Sequence, residues 1–191
     1  WLNRNFSQIK RKTNNYILII SRPSNQTYFK KNIKYKSITN IIRLAKKNKL
    51  NIVYKFHPKE SAAVIKREIK ILTKKFNFND RFLFSEKNTY YLAKHSTFNI
   101  SFYSSVCLDM IKLGLTPVEY IEKNKIKSSD FAKYNLTLFC NNEKDLNKIF
   151  NKIKKNPHKI NKQLQSNYNF IFKKKISISK IISIINYEKN K

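Results

Sequence analysis

The stretch that decides the fold is TFNISFYSSVCLDMIKLGLTPVEYIE, residues 97–122. Residues 98–103 are apolar, with β-branched and aromatic side chains, which is typical of a buried parallel strand. Residues 106–113 repeat apolar side chains at the spacing of one helical face. Gly114, the only glycine in the chain, follows where helices commonly end on a left-handed residue, and residues 117–121 have the composition of another strand. The stretch therefore predicts a strand–helix–strand unit.

Two adjacent serines, Ser104 and Ser105, lie between the predicted strand and the predicted helix. In an open α/β sheet this is the carboxyl end of a strand and the amino end of a helix. Hydroxyls, backbone N–H groups and the helix dipole can bind an anion together at such a junction. Serine at the start of a helix is also a common N-cap, and this stretch by itself favours capping over phosphate binding.

The remainder of the chain repeats the alternation of strand and helix. Further strands are predicted at residues 16–20, 51–56, 81–85 and 136–139, and further helices at residues 37–50, 61–76, 89–94 and 143–155. One or two closing helices are expected at residues 160–185. This alternation predicts an α/β fold with a doubly wound parallel sheet, Rossmann-like. A single glycine cannot supply a GxGxxG or Walker loop, which excludes the dinucleotide and P-loop sites built on those motifs.

The domain organisation follows from the same reading. Residues 1–15 are polar and basic and are expected to link this chain to an amino-terminal domain that it lacks. Residues 16–158 are expected to form the Rossmann-like domain, and residues 159–191 the closing helices.

The net charge of the chain is +30, from 41 basic and 11 acidic residues, and only six of the basic residues are arginines. The lysines are spread along the whole sequence, and Lys, Asn, Ile, Phe and Tyr are abundant together, which is typical of AT-rich coding. Base and phosphate readout by nucleic-acid-binding proteins favours arginine. We therefore interpret most of the charge as solvated surface. A basic nucleic-acid-binding module stays as the lesser alternative, and a peripheral contact with the inner face of the membrane is left open.

The two cysteines, Cys107 and Cys140, form no CxxC motif and have no histidine at metal-ligand spacing. We expect buried thiols in a reducing compartment, no metal site and no cofactor. No signal peptide or membrane span is visible in the sequence, so the expected location is the cytoplasm.

Polar side chains follow four of the predicted strands, where parallel strands end at one edge of the sheet. Lysine, arginine and histidine suit a phosphate, a carboxylate accepts from ribose hydroxyls, and serines donate to phosphate oxygens. The pattern predicts a nucleotide site without a glycine loop. Its candidate residues are Arg22, Lys55, His57, Glu86, Ser104 and Ser105.

The sequence YKFHPKE, residues 54–60, and the sequence SFYSSV, residues 101–106, resemble the HP and paired-serine motifs of bacterial sialyltransferases and polysialyltransferases. Those enzymes are GT-B glycosyltransferases, with two Rossmann-like domains. The resemblance covers nearly the whole chain from residue 16 and implies that it is the carboxy-terminal domain, which binds the CMP-sugar donor. It implies an inverting, metal-independent transferase acting on a glycan acceptor in the synthesis of a capsule, lipopolysaccharide or other surface glycan.

The resemblance also implies roles for individual residues. Lys55 and His57 would lie at the CMP phosphate and ribose, Glu86 at the ribose hydroxyls, and Ser104 and Ser105 at the phosphate. Pro58 would shape the loop. His57 would be the catalytic residue, balancing the charge of the departing CMP or acting as an acid.

The family's acidic D/E-D-G motif, which supplies the catalytic base, lies in the amino-terminal domain and does not occur in this sequence. The chain is therefore expected to bind donor without turning it over. HP followed by paired serines also occurs in CDP-glycerol glycerophosphotransferases and other capsule-polymer transferases, which remain an alternative. Asp109, four residues after Ser105, comes close to their pattern, and either contacts the sugar or pairs with a lysine.

Overall fold

The computed structural model describes residues 15–23, 30–76, 81–122 and 129–172, and the description below concerns these residues. Most of the expected linker at residues 1–15 and the last part of the expected closing helices, residues 173–185, lie outside the described residues. No helix in the described ranges is long and apolar enough to cross a membrane.

Six strands form one sheet in which all neighbouring strands pair in parallel. The order across the sheet is β3-β2-β1-β4-β5-β6, so the chain winds outward in both directions from its centre. The prediction of a doubly wound parallel α/β sheet is confirmed. The strands are β1 (Tyr16–Ile20), β2 (Asn51–Lys55), β3 (Phe82–Ser85), β4 (Phe98–Ser101), β5 (Pro117–Tyr120) and β6 (Leu138–Cys140).

The helices lie where helical spacing was predicted, although the first helix ends at Lys47 and not at residue 50, and the last helix begins at Pro157 and not at residue 160. Two further differences are larger. The first helix begins at Lys31 and not at residue 37, and a one-turn helix precedes β6, where the sequence predicted a polar loop. The last helix begins on Pro157, a residue that suits the first helical position because it needs no N–H partner there. The helices are α1 (Lys31–Lys47), α2 (Ala62–Phe76), α3 (Thr89–Lys94), α4 (Val106–Lys112), α5 (Asp130–Lys133), α6 (Glu143–Lys155) and α7 (Pro157–Phe172).

The central strand β1 is buried on both faces, which explains its uninterrupted apolar sequence. Ile17 and Ile19 belong to the larger core cluster, which includes the apolar face of α1. The alternate residues of β1 point to the other face of the sheet, where they pack with residues of α3 and with Met110 of α4. Helices therefore cover both faces, and the ends of the strands are left for the loops.

The strand order places β1 beside β4, although the chain leaves these two strands towards opposite halves of the sheet. Beyond their carboxyl ends the two connecting loops diverge, and a crevice opens between them. In doubly wound sheets this is where ligands bind.

Gly114 ends α4 with the backbone conformation that its sequence position predicted. Its φ is +75°. The Gly114 N–H donates to the Ile111 carbonyl and the Leu115 N–H to the Met110 carbonyl, both at 2.9 Å. This pair of bonds is a Schellman motif, which needs a left-handed residue at this position. The chain then turns directly into β5.

Replacing Gly114 by Ala should destabilise the protein by about 1–2 kcal/mol, because a Cβ disfavours the left-handed conformation. The new Cβ would also lie 3.1 Å from Nε2 of Gln165. Urea unfolding measures the change. The double variant G114A/Q165A is the control, since it removes the side-chain contact and keeps the backbone strain. An alanine variant as stable as the wild type would contradict the assignment.

Candidate functional site

A pocket of about 240 Å³ lies at the crevice between the loops that follow β1, β2 and β4. None of the described residues that line it is acidic. The lining combines two strong cations, an imidazole and two hydroxyls. Its residues are Arg22, Pro23, His57, Lys59, Tyr103, Ser104 and Ser105.

The loop after β4 is held in a strained conformation by contacts from the loop after β1 and from the start of α5. Tyr103 has φ +58°, which is uncommon for a residue other than glycine. Nη1 of Arg22 donates to the Tyr103 carbonyl at 2.5 Å, and the guanidinium carbon lies 5.7 Å from the centre of the tyrosine ring. The Tyr103 hydroxyl donates to Oδ2 of Asp130 at 2.8 Å. Such strain persists only where neighbouring contacts enforce it, and these contacts present the two serines to the pocket.

The side chains of Ser104 and Ser105 contribute little to capping the start of α4. Ser105 occupies the N-cap position of α4 with helical backbone angles and makes no side-chain capping bond. Ser104 Oγ accepts from the Val106 N–H only at 3.4 Å, beyond the usual range of such bonds. By contrast, Ser129 and Asn142 cap their helices with bonds of 2.9 and 2.8 Å. The hydroxyls at the pocket are therefore largely left for another partner.

His57 belongs to a tight turn with Pro58 at its second position. The Glu60 N–H donates to the His57 carbonyl at 3.0 Å, and the Glu60 carboxylate accepts from the His57 N–H at 2.8 Å. Proline favours this turn position because its φ is fixed. Pro58 is exposed and lies in this turn, outside the lining of the pocket.

The same turn determines which nitrogen of the His57 ring carries the proton. The Lys59 N–H donates to Nδ1 at 3.1 Å, so Nδ1 is an acceptor. A neutral ring must then carry its hydrogen on Nε2. Protonating Nδ1 would break the bond from Lys59. In this geometry His57 acts as a neutral hydrogen-bond donor through Nε2.

Besides Pro58, three other predicted site residues lie outside the lining of the pocket. Nζ of Lys55 donates to the Glu86 carbonyl at 2.9 Å, and burial lowers the pKa of Lys55 while Glu86 opposes that change. The Glu86 side chain is exposed. Asp109 accepts from the Tyr90 hydroxyl at 2.7 Å, a partner that the sequence did not suggest. The pocket thus unites Arg22, His57 and the serine pair.

The structure adds Pro23, Lys59 and Tyr103 to the lining. Lys59 lies two positions after His57, and the turn brings it back to the pocket. In the sequence, Lys59 was marked only by its place in HPKE. Tyr103 was marked only as an aromatic residue directly before two serines. Neither signal fixed a direction for the side chain.

No group of three or more His, Cys, Asp or Glu residues suitable for a metal ion occurs among the described residues. Cys107 and Cys140 are buried and free. Burial raises the pKa of both thiols above their ordinary range.

A buried carboxylate, Glu119, lies on β5 in register with Ser101 of β4. Its Oε2 accepts from the hydroxyls of Ser129 and Thr137. Within the described ranges, its Oε1 is buried without a hydrogen-bond partner. Burial raises the pKa of Glu119 from its ordinary value, and the two hydroxyls oppose the rise.

The sequence matches no protein-family model and no curated protein. Solved structures do match its fold. MnaA of S. aureus, in a structure with UDP, is 13% identical, with a TM-score of 0.56 over 86% of this chain and 43% of MnaA. TarM is 13% identical, with a TM-score of 0.59 over 91% of this chain and 35% of TarM. The C-terminal CMP-Kdo-binding domain of WaaA from Acinetobacter baumannii is 10% identical, with a TM-score of 0.56 over 88% of this chain and 94% of that domain.

At these identities the likeness shows the fold. The chain has the Rossmann-like α/β fold of the C-terminal domains of GT-B glycosyltransferases. It spans less than half the length of MnaA and of TarM, and nearly the whole WaaA domain.

NMR of the imidazole nitrogens should show His57 with an unprotonated Nδ1 and a protonated Nε2 at about pH 8.5, above the usual range of imidazole titration. His95 is the internal control, because its Nδ1 lies 2.7 Å from the Tyr91 carbonyl and must donate to it when the ring is neutral. The two rings should therefore show opposite tautomers. A protonated Nδ1 on His57 would refute the assigned role of its ring.

The Glu119→Gln variant should gain stability relative to the wild type as the pH rises from about 4.5. The physical reason is that the unfolded chain releases this proton at a lower pH than the folded chain, so ionisation of Glu119 costs the wild type stability over that interval. Urea unfolding at pH 4 and pH 7 measures the difference. Glu143→Gln on the surface of α6 is the control. If the stability difference between Glu119→Gln and the wild type is the same at pH 4 and pH 7, the pKa of Glu119 is not raised in the folded protein.

Proposed function

We propose that this chain is the donor-binding domain of a glycosyltransferase that uses a CMP-activated sugar, and that the pocket between the loops after β1, β2 and β4 binds the donor phosphate. The observation that carries the proposal is the composition of the pocket. Arginine, lysine, imidazole and two hydroxyls converge at the switch point of the sheet, with no carboxylate among the described lining residues.

Each lining group has a role in holding a phosphate and a departing nucleotide. Arg22 uses one N–H on the Tyr103 carbonyl, and a guanidinium has further N–H groups for phosphate oxygens. His57 donates through Nε2, and Ser104 and Ser105 donate through their hydroxyls. As the sugar leaves, negative charge grows on the phosphate, and these donors stabilise it without moving. His57 is the proposed catalytic residue on this basis.

The choice of cytidine rests on the HP and paired-serine motifs. The WaaA domain, which binds CMP-Kdo, is one example of this fold with a cytidine nucleotide as its ligand. MnaA in its structure with UDP has the same fold, so the fold by itself does not choose between pyrimidines. We infer an inverting, metal-independent transfer to a surface glycan in the cytoplasm, at the inner face of the membrane. A second Rossmann-like domain would supply the catalytic base and the acceptor site.

A CDP-glycerol glycerophosphotransferase or another capsule-polymer transferase is the first alternative, because it would use the same motifs and the same pocket. A nucleic-acid-binding module is less well supported. Among the described residues, exposed lysines occur on helices of both faces of the sheet, for example Lys36 on α1, Lys94 on α3 and Lys152 on α6, and are therefore not confined to one face.

Calorimetry with CMP, CDP and UMP tests the proposal. The double variant S104A/S105A should weaken the binding of CMP by about 1–3 kcal/mol, the loss expected for hydrogen bonds to a charged group. Ser166→Ala on the exposed surface of α7 should leave binding unchanged. Equal affinity for UMP and CMP would contradict cytidine as the base of the donor. It would leave the proposed phosphate-binding role of the pocket intact. Failure of the wild type to bind any of the three nucleotides would overturn the proposed function.

A further inference from the structure

Lys34 of α1 is almost completely buried, with a relative side-chain exposure of 1%. Its Nζ lies 2.5 Å from Oε1 of Glu68 on α2 and donates to the Arg22 carbonyl at 3.1 Å. A buried lysine is rare unless it is paired. Here one ammonium joins two helices to the loop that follows β1.

Other groups complete the surroundings of this ion pair. The Tyr54 hydroxyl donates to Oε1 of Glu68 at 2.9 Å, and Ser21 Oγ lies 2.7 Å from the same hydroxyl. The Tyr54 ring lies 5.9 Å from Nζ of Lys34. Burial, followed by the charge of Glu68, raises the pKa of Tyr54 well above its ordinary value, so this hydroxyl stays a donor. All four residues of this network are buried, and the network reaches the pocket lining through the Arg22 carbonyl.

A contribution to folding stability does not by itself explain why Lys34 and Glu68 form a buried ion pair. Desolvating two charges is expensive, and well-packed apolar residues in place of a buried ion pair are often neutral or stabilising. An apolar pair would, however, lose the bond to the Arg22 carbonyl. That bond is the part of the network that reaches a lining residue of the pocket.

Arg22 is held at both ends. Its carbonyl accepts from Lys34, and its guanidinium donates to the Tyr103 carbonyl on the loop after β4. We propose that Lys34 is a positioning residue for the pocket: by fixing the Arg22 carbonyl it sets the direction in which the guanidinium crosses to Tyr103. The effect on ligand binding rests on the proposed function, whereas the effect on the position of Arg22 does not.

The first test separates positioning from folding. Lys34→Met alone leaves Glu68 buried and unpaired, so the informative protein is the double variant K34M/E68M, which removes both charges at similar volume. It should unfold in urea at or above the wild-type midpoint. It should nevertheless bind CMP about tenfold more weakly, the scale of one charge-assisted hydrogen bond. Ile41→Val, a core change on the same helix, should leave affinity within about twofold.

A mutant cycle asks whether Lys34 acts through Arg22. In an Arg22→Ala background, K34M/E68M should produce no further loss of CMP affinity. An undiminished loss in that background would overturn the proposal, because Lys34 would then act elsewhere. Wild-type affinity in K34M/E68M with Arg22 intact would overturn it as well.

The last test needs no ligand. The ring of Tyr103 should shift the side-chain NMR signals of Arg22, and those shifts should disappear in K34M/E68M and persist in Ile41→Val. Unchanged shifts in K34M/E68M would refute positioning. If the wild type binds none of the nucleotides, the proposed function fails, and this measurement still decides whether Lys34 places Arg22.

Discussion

The bond from Arg22 to the Tyr103 carbonyl joins two loops that the sheet itself does not hold together. The backbone ladder between β1 and β4 ends with a long contact of 3.4 Å between the Phe102 N–H and the Ile20 carbonyl. Beyond that point the chain departs from the two strands towards opposite halves of the sheet. A guanidinium that donates to the carbonyl and lies over the ring closes the gap. The shape of the pocket depends on this contact, because the serines follow Tyr103 directly.

One face of α1 carries a row of buried polar side chains beneath these loops. Lys34 reaches the Arg22 carbonyl, Ser37 accepts from the Glu122 N–H at 2.9 Å, and Asn40 donates to the Tyr120 hydroxyl at 2.8 Å. The spacing of three residues keeps all of them on one side of the helix. The helix therefore packs against the sheet and at the same time fixes the chain just after β1 and β5. Buried polar groups of this kind are costly unless all are satisfied, which ties the helix to one register.

The sequence predicted the strands well because most of their residues are apolar, and β1 and α6 have the predicted bounds. The start of α1 was missed for a physical reason: Lys34 interrupts the apolar pattern before residue 37, and periodicity assigns a lysine to solvent unless its partner is known. The partner, Glu68, lies on another helix, 34 positions away. Tertiary pairing of this kind leaves no local signal.

The candidate site was predicted in part, and the difference follows from strand geometry. Neighbouring residues of a strand point to opposite faces, so Lys55 is directed away from the Tyr54 side and ends at the Glu86 carbonyl. His57 and Lys59 reach the pocket because the turn at Pro58 reverses the chain. The left-handed Tyr103 was likewise invisible, since no local rule places an aromatic residue there.

The serine pair shows why composition alone gave an ambiguous prediction. Serine before a helix favours capping, and capping is worth about 0.5–2 kcal/mol to a helix. The backbone of Ser105 is already helical, so its hydroxyl does not accept in the usual N-cap geometry, and the left-handed turn at Tyr103 lies directly before the serine pair. A helix of seven residues thus begins without the stabilisation that its own sequence could provide. The same turn that withholds the cap directs both serines towards the cations of the neighbouring loops, so strain at one residue explains the lost cap and the polar pocket together.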